Sequence, residues 1–516
     1  MGFSAAFEGF TAVEKRNLFI YMVGICGYKF ALETLSGCMG ALVQTRTKIS
    51  PAATWATVLS FHFICQGIGS FLLSPLMKRW PTSRVLAVAL FCYGVLVAII
   101  PILEGTTGGG STGLGDERNY QPGTFDITIV YYLWPVIGIF SGVVETIRRV
   151  IPRDIVGGDA RKLKAMDSTV HIAYEIVGTT GALLSRYWIA YFNYAYAVTI
   201  VPVVFAIAAV VALRILPEPE KLASTSHERK PLLREAVDIF VAFFKSVWIG
   251  VKLTMMNRCL VWLTVAYSFA LVLHRYLENT LMAHYATFGL GTPSYQQLIL
   301  AGSNFGEAMG AVVVLNWINA VPTPIPWLRS DALTLLAVWV FPLATPFANT
   351  EGWVWFLAGL MAFISSGWSA GDVSLIAYIQ GRLDKIEGAD QTVSPLGSVA
   401  SFLFVLHIAI FYVCNRWAGG IQDSYMQPLL TEYKTAKNIP KYLGLAPTQQ
   451  AMFWTCGVFL TISAGVVLLS TFIPKGSFAF NPKEIEEESD LKQLAQQLDG
   501  EEYAVVKGND KESHIA

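Results

Sequence analysis

The stretch Lys29-Phe-Ala-Leu-Glu-Thr-Leu35 lies inside the first long apolar run of the chain, and its reading decides the fold. A charge at membrane depth costs at least ~2.5 kcal/mol even on the lenient insertion scale. It persists only where it faces protein or a water-filled cavity. Lys29 and Glu33 are one helical turn apart, so they share a face and can neutralise each other. The pattern returns without a gap as Arg275-Tyr-Leu-Glu-Asn-Thr-Leu281, in the first apolar run of the second half. A cation recurs in place of Lys29, and the acid moves to Glu278. Charges on matching helices of a duplicated apolar chain predict a transporter.

The composition agrees. Of 516 residues, 54% are hydrophobic and 14% charged, and the mean hydropathy is +0.49. A soluble domain would carry about a quarter charged residues. Lys plus Arg equal Asp plus Glu, at 37 each, so no basic excess points to nucleic acid. The cysteines form no CxxC and sit in or beside apolar stretches, as small core side chains do. No cleavable signal is read at the N-terminus, and the first helix is expected to direct insertion.

Twelve stretches each supply the roughly 20 residues that a bilayer requires. They fall at 17–41, 53–77, 85–103, 127–147, 167–189, 194–215, 258–284, 296–318, 332–348, 352–376, 395–416 and 450–473. The expected fold is an all-α membrane protein of two pseudo-symmetric six-helix bundles. Residues 1–216 form the N-terminal half and 258–474 the C-terminal half. Residues 217–257 are a cytoplasmic linker, and 475–516 a disordered cytoplasmic tail. Within the linker, Val237, Phe240, Phe244, Val247 and Val251 recur at helical steps, which suits a helix lying along the inner membrane surface. Basic residues crowd the 2–3 and 4–5 loops and the centre, which predicts both termini to be cytoplasmic. The 11–12 connection, read as 417–449, places Lys434, Lys437 and Lys441 on the outside against that trend.

Six helices plus six with a basic 2–3 loop resemble the major facilitator superfamily. The family pattern Gly-x-Leu-x-Asp-Arg-x-Gly-Arg-Arg is met here by Ser74-Pro-Leu-Met-Lys78-Arg79-Trp-Pro-Thr-Ser-Arg84. Leu76 and Arg79 fit. Lys78 stands for the acid, Ser74 and Pro81 for the glycines, and Thr82 and Ser83 for the paired arginines. The resemblance implies a cavity lined by helices 1, 4, 7 and 10, with 2, 5, 8 and 11 beside them. It also implies a gating role for the loop, hence for Lys78, Arg79 and Arg84.

Ionisable and amide groups inside these helices are the candidates for substrate binding or coupling: Lys29, Glu33, His62, Gln66, His171, Glu175, Arg275, Glu278, Asn304 and Glu307. Helices 2 and 8 align loosely, so that Glu307 stands opposite Gln66. Glu145 and Asp372, near helix ends, are candidate gate acids. Glu228-Arg-Lys-Pro-Leu232-Leu233 fits an acidic dileucine sorting form, and Tyr503-Ala-Val-Val506 a tyrosine form. Either implies sorting adaptors and an endosomal, lysosomal or vacuolar membrane, with the plasma membrane as the alternative.

The function expected is secondary active transport of a small polar, zwitterionic or anionic solute by alternating access, coupled to protons. The partners are the solute, protons and the lipid bilayer, with no nucleic acid, and a monomer is expected. No cofactor and no metal are called for, no Walker sequence supplies ATP drive, and no nucleophile–base set suggests an enzyme. Three alternatives stand beside this reading: lipophilic efflux, divalent-metal transport through His171/Glu175 and His274/Glu278, and a non-transporting receptor with a carrier fold.

Overall fold

A capping box starts the first helix. Thr11 Oγ1 accepts from the Glu14 amide at 3.1 Å, and the Glu14 carboxylate accepts from the Thr11 amide at 2.6 Å. Helix α1 therefore begins at Ala12, earlier than hydropathy alone places it, and runs to Arg46. The computed structural model describes residues 9–110, 121–156, 160–215, 232–317, 320–383, 395–434, 439–440, 443–483 and 485.

The rest of the first half is α2 (Pro51–Arg79), α3 (Thr82–Thr106), α4 (Val130–Val156), α5 (Ala160–Tyr196) and α6 (197–212). A linker helix (Leu232–Met256) follows. The second half holds α7 (Arg258–Gly289), α8 (Tyr295–Trp317), α9 (325–343), α10 (Thr350–Leu383), α11 (Pro395–Tyr433) and α12 (Leu445–Ser470). The protein is an all-α membrane protein, with twelve transmembrane helices and the linker helix among the described residues. A kink at Asn193, three residues before the end of α5, turns the chain toward α6. Its φ of 57° and ψ of 169° break the helix, and its Oδ1 accepts from the amides of Ala195 at 2.9 Å and Tyr196 at 3.1 Å.

Some boundaries differ from the sequence reading. Arg148, Arg149 and Arg153 belong to α4, and Arg161, Lys162 and Lys164 to α5. The basic residues of the 4–5 loop thus sit on two helix ends. Helix α11 continues to Tyr433 rather than stopping near 416, because Met426 and Leu430 keep burying apolar surface against Phe288. Helix α9 starts at 325 rather than 332. Of the expected tail, residues 475–483 and 485 are described, and the others lie outside the described residues.

The two halves share one packing device. In the first, Gly138 and Gly142 of α4 press on the carbonyls of His62 and Gln66 in α2. In the second, Gly302, Gly306 and Gly310 of α8 press on the carbonyls of Ala358, Ala362 and Ser366 in α10. Small residues four apart let helix backbones touch without side chains between them.

A clasp joins the segment after α12 to α9. Arg329, 5% exposed, donates to the carbonyls of Ala479 at 2.6 Å and Ser477 at 2.5 Å and to Thr471 Oγ1 at 3.1 Å. Its guanidinium lies 4.2 Å from the Phe472 ring centroid. Thr323 Oγ1 donates to the Pro482 carbonyl at 2.9 Å, and Ile485 is fully buried in a cluster with Leu253, Leu260 and Leu403. Replacing Arg329 by Ala strands those carbonyls and is expected to cost at least about 2 kcal/mol. A melting curve in detergent reads it, and an unchanged midpoint would show that the clasp does not hold the fold.

Candidate functional site

The central charges come from α1, α4, α5, α7 and α8. On α1, Lys29 Nζ and Glu33 Oε1 form the expected ion pair at 2.6 Å, with both side chains nearly buried. Lys29 Nζ also lies 4.9 Å from the Tyr174 ring centroid, and the Arg148 guanidinium lies 4.2 Å from the same ring. Glu145 bonds Arg148 at 3.1 Å and accepts from Tyr28 at 3.0 Å and Tyr174 at 3.4 Å. Hydropathy puts Glu145 near a helix end. The structure instead places it in this network, because α4 extends about three further turns past it.

Gly178 explains how α5 approaches so closely. A side chain there would collide with Lys29 Cε and come within 3.2 Å of Asn304 Nδ2 from the other half. Asn304 Nδ2 turns toward Glu33 yet completes no hydrogen bond of normal geometry among the described residues. Glu175 Oε2 and His171 Nε2 are likewise buried with no hydrogen-bond partner among them. His171 feels the charges of Glu175, Arg148 and Lys29.

The second half is built differently. Arg275 and Glu278 do not form the ion pair that their spacing predicts. Glu278 sits in a π-helical turn, Leu277–Leu281, and accepts from Ser303 Oγ at 2.5 Å, with Ser365 2.7 Å beyond. The wider turn changes the register between Arg275 and Glu278. Arg275 is left exposed, with no ion-pair partner among the described residues. It still feels Glu278, Glu307 and, from the other half, Glu145. Glu307 is half-buried, with no hydrogen bond to its carboxylate among the described residues. It lies within the fields of Glu175, Glu278, Lys29 and Arg275. The halves therefore meet electrostatically through Glu307, and neither a Lys29–Glu278 nor an Arg275–Glu33 ion pair is formed.

Other candidates lie elsewhere. His62 Nδ1 is 3.0 Å from the Trp134 carbonyl and its ring stacks on Trp134, while Gln66 faces Ser141 at 3.5 Å. Both occupy the α2–α4 seam. His274 turns to Asp331 of α9 at 2.9 Å and stacks on Trp368. That contact separates it from Glu278 and removes the His274/Glu278 metal pairing. Asp372 is half-buried on α10, and Arg84 is exposed at the start of α3. The side chains of Lys78, Arg79, Leu232 and Leu233, and all of Glu228, Tyr503 and Val506, lie outside the described residues.

Hydrogen bonds between the halves gather at the end opposite the chain termini. Asp423 of α11 accepts from the amides of Ala52 at 2.9 Å and Ala53 at 2.8 Å, capping the first turn of α2, which its own Ser50 does not cap. Arg416 donates to the Ala53 carbonyl at 3.0 Å, Asn415 to that of Ala56 at 3.1 Å, and Trp55 to that of Asn279 at 2.9 Å. These bonds tie the two halves together at that end.

Tyr28, Tyr174, Arg148, Ser303 and Ser365 are not among the sequence candidates. The i,i+3 spacing of Glu145 and Arg148 is a legible signal. The serines become visible only once α8 meets α10.

Lys29→Ala is expected to destabilise the protein by about 3 kcal/mol, because it leaves Glu33 buried without its cation. The double variant Lys29→Ala/Glu33→Ala should recover most of that loss. Thermal melting of both proteins checks it, and equal melting of single and double variants would show that the two residues are not coupled.

Two six-helix halves around a charged centre, tied together at one end, make a secondary carrier rather than an enzyme. The chain belongs to the Major Facilitator Superfamily, whose family profile matches residues 21–392. Solved structures show the same fold. A nucleoside transporter, NupG, is 12% identical with a TM-score of 0.56, covering 89% of this chain and 99% of its own. A structure described for substrate recognition in proton dependent oligopeptide transporters is 12% identical with a TM-score of 0.58, covering 94% and 100%. A D-xylose-proton symporter is 13% identical with a TM-score of 0.54, covering 87% and 96%. No curated protein sequence matches the chain.

Proposed function

We infer that the protein moves a small zwitterionic or anionic solute by alternating access, with proton movement through the central acids. The observation that carries this reading is Arg275, an exposed cation without an ion pair among the described residues, beside the equally unpaired carboxylate of Glu307. A charge at membrane depth usually has its partner within the protein. A cation that lacks one is suited to a carboxylate or phosphate on the solute. Asn304 Nδ2 and Glu175 Oε2 offer a donor and an acceptor that a bound solute would satisfy. Proton coupling is supported by the number of acids around the centre and by solved proteins of this fold described as a D-xylose-proton symporter and as proton dependent oligopeptide transporters.

The test is purified protein in proteoliposomes on a solid-supported membrane, challenged with amino acids, dipeptides, dicarboxylates and neutral sugars across a pH step. Currents with the charged solutes that grow under an inward proton gradient are expected. A response to neutral sugars alone, or to nothing in any gradient, would overturn the reading.

A further inference from the structure

The linker helix Leu232–Met256 presents one face to protein and leaves another open. Its protein face carries Phe243, Ser246, Gly250 and Leu253. Phe243 lies 3.6 Å from the Phe71 ring centroid on α2, and Ser246 Oγ is 3.0 Å from Ser398 Oγ on α11. Gly250 admits the Ser398 carbonyl against its backbone. The helix therefore touches one element from each half.

The open face is a single apolar stripe. Val237, Phe240, Val241, Phe244 and Trp248 are each more than half exposed, and they follow one another at three- and four-residue steps. Arg234, Lys245 and Lys252 all fall along one edge of this stripe, about 60–80° round from its centre at 100° per residue. Lys252 Nζ lies 6.0 Å from the Trp248 ring centroid. Asp238 shares that edge, so the edge keeps a net positive charge. The neighbouring helix α2 also exposes apolar side chains, Ile64, Ile68 and Leu72.

We propose that this face rests on the bilayer and recognises anionic phospholipid headgroups, with the stripe among the upper acyl carbons and Arg234, Lys245 and Lys252 on the phosphates. An apolar stripe of this width bordered by cations is the arrangement that partitions a helix into an interface. Contact of Phe243 with Phe71 holds the helix against α2, a membrane-spanning helix with exposed apolar side chains. Each basic residue beside an anionic leaflet is worth about a fivefold change in partitioning, so three of them exceed about tenfold together. Because the helix bridges α2 and α11, leaflet charge would bear on how the two halves separate at this end.

Hydrogen exchange of the full chain in lipid discs tests this. Amides of 232–256 are expected to exchange about tenfold more slowly in phosphatidylglycerol discs than in phosphatidylcholine discs. The R234Q/K245Q/K252Q variant removes the three cations of that edge and is expected to lose that difference. Equal exchange of the wild-type chain in the two lipids, which is what a face covered by a soluble partner would give, overturns the proposal. So does a difference that survives in the triple variant.

Discussion

Arg275→Ala is expected to lower solute-driven current at least about a hundredfold while leaving the melting curve nearly where it was. The two effects separate because of what surrounds the side chain. Removing one member of a buried ion pair costs about 3–5 kcal/mol, since the other charge is stranded. Arg275→Ala breaks no ion pair: the side chain is exposed and acts on the nearby carboxylates only through its field, with no ion-pair partner among the described residues. Its loss should fall within the range of surface substitutions, about 0.5 kcal/mol. The transport loss follows from the charge-assisted hydrogen bonds that a solute carboxylate would make, worth about 3 kcal/mol and so about a hundredfold. Arg275→Lys keeps the charge but not the planar fork, and an intermediate loss is expected. Parallel melting and electrophysiology on the three proteins decide it. If Arg275→Ala destabilises as much as Lys29→Ala, then Arg275 holds helices together and the solute-binding role is lost.

The duplicated motif makes the fold legible, since charges in matching apolar helices survive only where both helices face a shared protein interior or cavity. The Lys29–Glu33 pair is legible for a simpler reason: both residues lie on one turn of one regular helix. Arg275–Glu278 is not, because a π turn changes the register and hands Glu278 to Ser303. Spacing rules assume an unbroken α-helix. Glu145 is visible as a residue but misplaced, because hydropathy ends a helix where charges begin while α4 continues as backbone. His274 shows the opposite limit. Its partner Asp331 is 57 residues away, and no local pattern announces such a contact. The Asp423 cap on α2 belongs to the same class, with its partner Ala53 370 residues distant.

Glu307→Gln is expected to reduce pH-driven uptake about tenfold or more while leaving solute exchange at equal pH within about twofold, the scale of a 1–3 kcal/mol coupling between sites. Of the central acids, Glu33 is bound to Lys29, Glu145 to Arg148 and two tyrosines, and Glu278 to Ser303. Glu175 keeps one oxygen free but is buried. Glu307 is the carboxylate whose charge can change without breaking an ion pair or hydrogen bond among the described residues, and it remains half-exposed. It also senses both halves, through Lys29 and Glu175 on one side and Arg275 and Glu278 on the other. A solute anion settling on Arg275 would cancel the cation that steadies the Glu307 charge, so solute and proton would bind together. By linkage the proton must then raise solute affinity by the same factor. Glutamine keeps the shape and fixes the neutral form. The solute site therefore survives and exchange continues, while the proton gradient has nothing to act on. Counterflow at equal pH and uptake under a pH step, measured on the same vesicles, separate these. Should the Gln variant still concentrate solute against its gradient when the pH step is applied, proton coupling runs through another acid, and Glu175 becomes the residue to change.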